Sequence, residues 1–204
     1  KGNVVNPMEK LDQYGSDALR LGLITGQSAG SNQPFTEAKL VGARNFCNKL
    51  WNVARFVESK LGDEFSGEVE PQPKTPADHW MLSKLQQATK QISLYMDEYR
   101  FAEASEAVYH LLWDDFADWY IEASKTASNG SVLAYGLETI LKLAHPFVPF
   151  VTEAIWQTLM PHDESLLITS PWPTAPKADA KQAKVFEEIK TIVSEIRYIK
   201  ATLH

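Results

Sequence analysis

From residue 35 to residue 203 the apolar side chains recur every three or four positions, in runs of roughly 12 to 27 residues. Almost no stretch alternates with the period of two that a strand requires. A chain written this way has to bury long stripes of helix against one another. Because long connections are few, the expected architecture is all-α, an antiparallel helix bundle. A hydrophobic content of 44% over 204 residues supports a real core.

The element boundaries carry their own signals. Asn6-Pro7-Met8-Glu9 has a capping-box arrangement and predicts a short helix ending near Gly15. Ser16 is placed to cap a second helix, and a polar Gly/Ser/Asn run over 26–33 then breaks the periodicity. Phe35 and Leu40 around Thr36 form a hydrophobic staple that starts a long helix. Further helices are predicted from Thr75-Pro76 to about Tyr99, over 101–128, over 132–145 and over 149–160. Leu166-Leu167-Ile168-Thr169 reads as a brief extended stretch, 177–184 as a polar connector, and 186–203 as an amphipathic helix. The three organisational units expected are 1–33, 34–175 and 176–204.

A net charge of −6 argues against non-specific coating of nucleic acid or anionic membrane, so any nucleic-acid contact has to be a local patch. A single cysteine, Cys47, excludes an internal disulfide and fits a reducing compartment. No apolar run is long enough to span a bilayer. The start lacks an initiator Met and the last helix stops at His204 without a terminator, so the chain is expected to belong to something longer.

One face of the long helix stands out. At about 100° per residue Phe46, Cys47, Leu50, Val53, Ala54 and Val57 gather on one side, and Arg44, Asn45, Asn48, Lys49, Asn52 and Arg55 on the other. Phe56 falls among the amides and cations. Such a face can hold phosphate with Arg and Lys, read base edges with Asn and stack a base on Phe; the alternative is a core ring covered by a neighbouring helix. On the helix from 101 the same wheel puts Ile121 among Asp114, Asp118, Glu122 and Lys125, and so predicts it exposed.

Complete active sites are absent from the pattern. Asp114-Asp115-Phe116-Ala117-Asp118 matches a D-D-x-x-D magnesium-diphosphate motif, but no second acidic motif accompanies it. His79, His110, His145 and His162 share no metal-ligand spacing with each other or with Cys47. Cys47 lies on the apolar arc, as a small core residue rather than a nucleophile. No phosphate loop, nucleophile elbow or dinucleotide turn occurs. A helical interaction module and a magnesium-dependent enzyme using Asp114 and Asp118 remain the competing readings.

Several blocks taken in order, Lys1-Gly2-Asn3-Val4-Val5-Asn6-Pro7, Tyr14-Gly15-Ser16-Asp17-Ala18-Leu19-Arg20 and Ala43-Arg44-Asn45-Phe46-Cys47-Asn48-Lys49-Leu50-Trp51-Asn52, resemble the valyl-tRNA synthetases, a class I aminoacyl-tRNA synthetase family. Phe116 to Glu122, His145-Pro146-Phe147-Val148-Pro149-Phe150 with Glu153 and Trp156, and Pro171-Trp172-Pro173 agree. The resemblance implies a class Ia anticodon-binding domain over 34–175, preceded by a stem-contact segment over 1–33 and followed by the start of a further region. For the parent enzyme it implies valine, ATP, magnesium and aminoacyl transfer. The K-M-S-K-S signature of the family precedes the position of Lys1, so this chain is expected to hold no catalytic residue, cofactor or metal. As partners it implies the anticodon loop and inner stem of valine tRNA and the remainder of a synthetase chain, as a cytoplasmic monomer off the membrane. By position it gives Phe56 a base-stacking role, sets Lys49 beside the same loop, and brings Ile121 and Glu122 to the anticodon. Asn52, Arg55 and Arg44 complete the expected contact set. The stretch 30–38 departs from the family, with Ala38 where some members carry an Arg, a loss that Arg44 or Arg55 would offset.

Overall fold

The computed structural model describes residues 6–26, 35–61, 70–159 and 165–203, and every regular element among them is helical. Helices α1 (Pro7–Tyr14) and α2 (Ser16–Ile24) meet at Gly15, whose φ of 87° lies in a region that disfavours side chains. Asn6 caps α1 by accepting from the Met8 N–H at 3.1 Å. Ser16 does not cap α2. It is the first helical residue, with Gly15 at the cap position.

The neighbouring Asp17 instead reaches across the fold. Its carboxylate accepts from the backbone N–H groups of Phe150 (3.1 Å) and Val151 (2.6 Å) in the first turn of α8 (Pro149–Leu159). Those donors have no partner within their own helix, and the helix dipole favours a negative charge there. Arg20 adds a second tie by donating to the Pro146 carbonyl at 3.1 Å.

The bundle proper consists of α3 (Glu37–Leu61), α4 (Pro76–Asp97), a continuous rod over 101–124, α7 (Gly130–Ala144) and α8, and α9 (Ala180–Thr202) lies along α4. Helix α2 packs on α3, and α3 is backed by α7 and α8. The expected connector over 177–184 is shorter than its composition suggests, because Asp179 accepts from the Lys181 N–H at 2.8 Å and starts α9 at Ala180. The extended stretch expected at 166–169 is a single 3₁₀ turn, Leu167–Thr169. Its Leu167 side chain is buried, and its Leu167 N–H donates to Glu153 Oε2 at 3.0 Å, so no strand partner is needed. The expected break over 26–33 falls almost entirely outside the described residues.

The rod over 101–124 changes its winding. Helix α5 (Phe101–His110) passes into a π-helix over Leu111–Ile121 and closes with α6 (Glu122–Ser124). Bonding from i to i+5 makes each residue turn through less than the ~100° of an α-helix. The buried residues follow that wider turn as the pairs Leu111–Leu112, Phe116–Ala117 and Tyr120–Ile121. Phe116 abuts α7 so closely that a Cβ on Gly136 would stand 2.6 Å from its Cε2.

A buried carboxylate organises the centre. Asp78 is 1% exposed. One oxygen accepts from the backbone N–H groups of Lys74 (2.8 Å) and Thr75 (2.9 Å) and from Asn129 Nδ2 (2.9 Å), and the other from Tyr120 Oη (2.7 Å). Thr75 completes the capping box of α4. Burial alone would raise the pKa of this carboxyl, but the hydrogen bonds from Lys74, Tyr120, Asn129 and Thr75 outweigh it and hold the pKa below the ordinary value.

Because the folded pKa is depressed, the stabilisation from Asp78 is complete above its unfolded value of about 3.9 and is lost as pH falls through the folded value. Asp78→Asn is expected to lower the urea midpoint at pH 7 and to flatten the acid limb of stability below about pH 4. Unchanged pH dependence in denaturant titrations would contradict this account. Gly136→Ala, by forcing Phe116 aside, is expected to cost about 1 to 3 kcal/mol in the same assay.

Candidate nucleic-acid interface

The outer side of α3 carries two parallel stripes. Arg44, Asn48, Trp51 and Arg55, at i, i+4, i+7 and i+11, share one face and are all exposed. Lys49, Asn52, Phe56 and Lys60 form a second stripe about 100° round the helix, at the margin of the core. Phe56 is therefore neither wholly buried nor free. It is half-buried, with one side packed on the core and the Lys60 ammonium 5.6 Å from its ring centroid.

The stripe is tied to the rod. Lys49 Nζ lies 3.1 Å from Asp118 Oδ1 and 4.9 Å from the centre of the Trp113 ring. Trp113 stacks on Tyr109 at 5.4 Å and 12°, and Tyr109 on Phe46 at 5.8 Å, so a ladder of rings joins the rod to α3 beneath Lys49. Glu122 is exposed at the end of the rod and pairs with Lys125 at 2.6 Å. Arg44 stands 5.5 Å over the Tyr14 ring of α1. Asn52 and Arg55 are exposed, and Arg55 has no ion-pair or hydrogen-bond partner among the described residues.

Ile121 does not behave as its place on an α-helical wheel predicts. It is 6% exposed and belongs to the core. The wheel assumed 100° per residue across a segment that is π-wound, and the accumulated phase error carries Ile121 from the polar arc to the buried one. For the same reason Trp113 and Trp119, which a wheel of 100° per residue would set among the apolar side chains, are only half-buried.

An exposed aromatic absent from the expected contact set is Trp51, at 41% exposure in the middle of the Arg44–Asn48–Arg55 stripe. Its i+7 spacing from Arg44 and i+4 spacing to Arg55 is a signal available from the residues alone.

Magnesium-diphosphate chemistry does not fit the acidic run. Asp114 is held by His110 Nδ1 at 2.6 Å, Asp118 by Lys49, and Asp115 faces Lys84 (3.7 Å) and Lys190 (3.9 Å). The three carboxylates thus face different partners, and no cluster of metal-ligating side chains occurs among the described residues. Burial, followed by the nearby Asp17 charge, pushes the Cys47 thiol up to about 12, so it is no nucleophile at neutral pH. Among the described residues, no helix is long and apolar enough to cross a membrane.

Residues 78–204 match the family described as the anticodon-binding domain of tRNA ligase. The valine–tRNA ligase of Geobacillus kaustophilus (strain HTA426) is 38% identical over 216 residues, covering 98% of this chain and 24% of its own length. That of Staphylococcus carnosus (strain TM300) is 41% identical over 201 residues, covering 93% and 22%. The chain thus spans about a quarter of these curated relatives. A crystallised Agrobacterium radiobacter K84 agnB2 LeuRS, in a ternary complex with tRNA and LeuAMS, superposes with a TM-score of 0.72 at 19% identity, over 89% of this chain and 22% of that one. At that identity the likeness speaks for the fold.

The burial pattern makes a direct prediction. Ile121→Ala is expected to cost about 2 to 5 kcal/mol in thermal or chemical denaturation, as a core truncation does. Asn52→Ala should stay within about 0.5 kcal/mol. Equal costs for the two would refute the π-wound register.

Proposed function

Because the chain belongs to the anticodon-binding domain family of tRNA ligases, we propose that its α3 margin and the end of the rod hold the anticodon loop of valine tRNA. The observation that carries this reading is the stripe Lys49–Asn52–Phe56–Lys60, in which a half-exposed ring sits between two cations and beside an amide. Single-stranded loop bases are recognised by such a combination: a face to stack on, an amide for base edges, and cations for phosphate. Phe56 suits the task because its inner side is fixed by the core, so little side-chain entropy remains to be lost on stacking.

Arg55 and Arg44 flank the stripe and supply further phosphate contacts, offsetting the Ala38 position. Glu122 borders the loop at the end of the rod. Ile121, 6% exposed and in the core, offers no face for a base to stack on. The valine assignment draws its support from the names of the relatives. Attachment of valine to tRNA with ATP and magnesium belongs, on this proposal, to the whole cytoplasmic ligase, with residues 1–204 serving to select the tRNA and no step of the chemistry assigned to them.

In a fluorescence titration with valine tRNA, Phe56→Leu, which keeps apolar bulk but removes the ring, is expected to weaken binding about 5- to 150-fold at unchanged stability. Arg55→Ala should weaken binding and reduce the salt slope by about one. Equal affinity of unmutated protein and Phe56→Leu would remove the stacking role. Equal affinity for valine tRNA and the same tRNA with an altered anticodon would overturn the assignment.

A further inference from the structure

Of the seven asparagines in the chain, only Asn129 is followed by glycine. The other six precede proline or a residue whose side chain crowds the backbone nitrogen. An Asn-Gly step is the most labile of asparaginyl links, because nothing on the glycine hinders its nitrogen from attacking the side-chain amide carbon. Here the step stands at the head of α7, against the Asp78 carboxylate. Asn129 is 4% exposed. Its Nδ2 donates to the Gln72 carbonyl at 2.8 Å and to Asp78 Oδ2 at 2.9 Å, and its Oδ1 accepts from the Ser131 hydroxyl at 2.9 Å. Its backbone carbonyl accepts from the Leu133 N–H at 3.0 Å and so begins α7. Both ends of the side-chain amide are held, and Cγ cannot swing onto the Gly130 nitrogen without breaking bonds that burial makes costly to lose.

We propose that Asn129 is a gated deamidation site, silent while the centre around Asp78 is closed and reactive once it opens. In the opened chain the Gly130 nitrogen bonds to Asn129 Cγ, the bond from Cγ to Nδ2 breaks, and ammonia leaves with the proton of the Gly130 N–H. Solvent water then opens the five-membered imide at one carbonyl or the other. The product is an aspartyl residue, or an isoaspartyl one whose main chain runs through the former side chain. Neither fits the centre again. An aspartyl carboxylate has no N–H to give Gln72 or Asp78, and it sets a second negative charge where Nδ2 now stands 2.9 Å from the first. An isoaspartyl link adds a methylene to the main chain at the residue whose carbonyl begins α7. Each passage through the open state therefore converts some molecules into a form that no longer closes. The inference rests on burial and hydrogen bonding and does not depend on the tRNA reading.

Peptide mass spectrometry on the full 204-residue chain tests it, after incubation at mildly alkaline pH in buffer and in guanidinium chloride above the unfolding midpoint. Conversion at Asn129 is expected to be the fastest asparagine loss in denaturant and at least about a hundredfold slower in buffer, since reaction through an open state tracks its population. Gly130→Ala, whose added Cβ would meet only Leu61 Cδ2 at 3.4 Å, should abolish the lead of Asn129 over the other asparagines in denaturant. Asp78→Asn, which loosens the centre and leaves the Asn-Gly step intact, should speed conversion in buffer about tenfold. Asn129→Asp should lower the denaturant midpoint at pH 7. Equal rates in buffer and in denaturant would overturn the gating. No conversion in denaturant, or a rate there indifferent to Gly130→Ala, would overturn the site itself, and an Asn129→Asp chain as stable as the parent would overturn its one-way consequence.

Discussion

The Asp78 carboxylate is the constraint on which the bundle depends. It collects the backbone N–H groups of Lys74 and Thr75 just ahead of α4, the phenol of Tyr120 on the π-wound segment and the amide of Asn129 ahead of α7. Three elements are thereby fixed in angle as well as in distance, because an unpaired charge in that interior would cost several kcal/mol. The Tyr120 phenol, buried and donating to a carboxylate, has its own pKa driven well above the ordinary value, so the proton stays on the phenol and the charge on Asp78. Tyr120 lies in the π-helix, whose buried pairs meet α4 and α7.

The π-wound segment explains where the sequence was legible and where it was not. Caps at Asn6 and Thr75, helix stops near Gly15 and before Pro146, and the apolar stripe of α3 are local consequences of residue type, and they could be read one helix at a time. Ile121 could not. Whether a residue is buried on a rod depends on its accumulated angle, and no residue of Leu111–Ile121 announces the change from i→i+4 to i→i+5 bonding. The pattern Leu111–Leu112, Phe116–Ala117, Tyr120–Ile121 contains that information, but only once the period is allowed to vary.

The candidate site shows the same division. Lys49, Asn52 and Arg55 were visible as the polar side of α3, whereas the half-burial of Phe56 and the tie from Lys49 to Asp118 depend on how the rod lies against that helix. Asp17 is a plainer case. Its sequence position suggests an acid in the first turn of α2, while its partners are amides more than 130 residues away. Long-range satisfaction of buried polar groups leaves almost no local trace.

That distant bond makes α2 a strut. Asp17 grips the start of α8, and Arg20 holds the carbonyl just before it, so twisting α2 against the bundle has to break charge-assisted hydrogen bonds worth roughly 1.5 to 3 kcal/mol each. Whatever torque reaches α2 therefore passes into the bundle through these bonds. Among the described residues, the packing of α2 on α3 and its ties to α8 fix the alignment between this helix and the α3 margin.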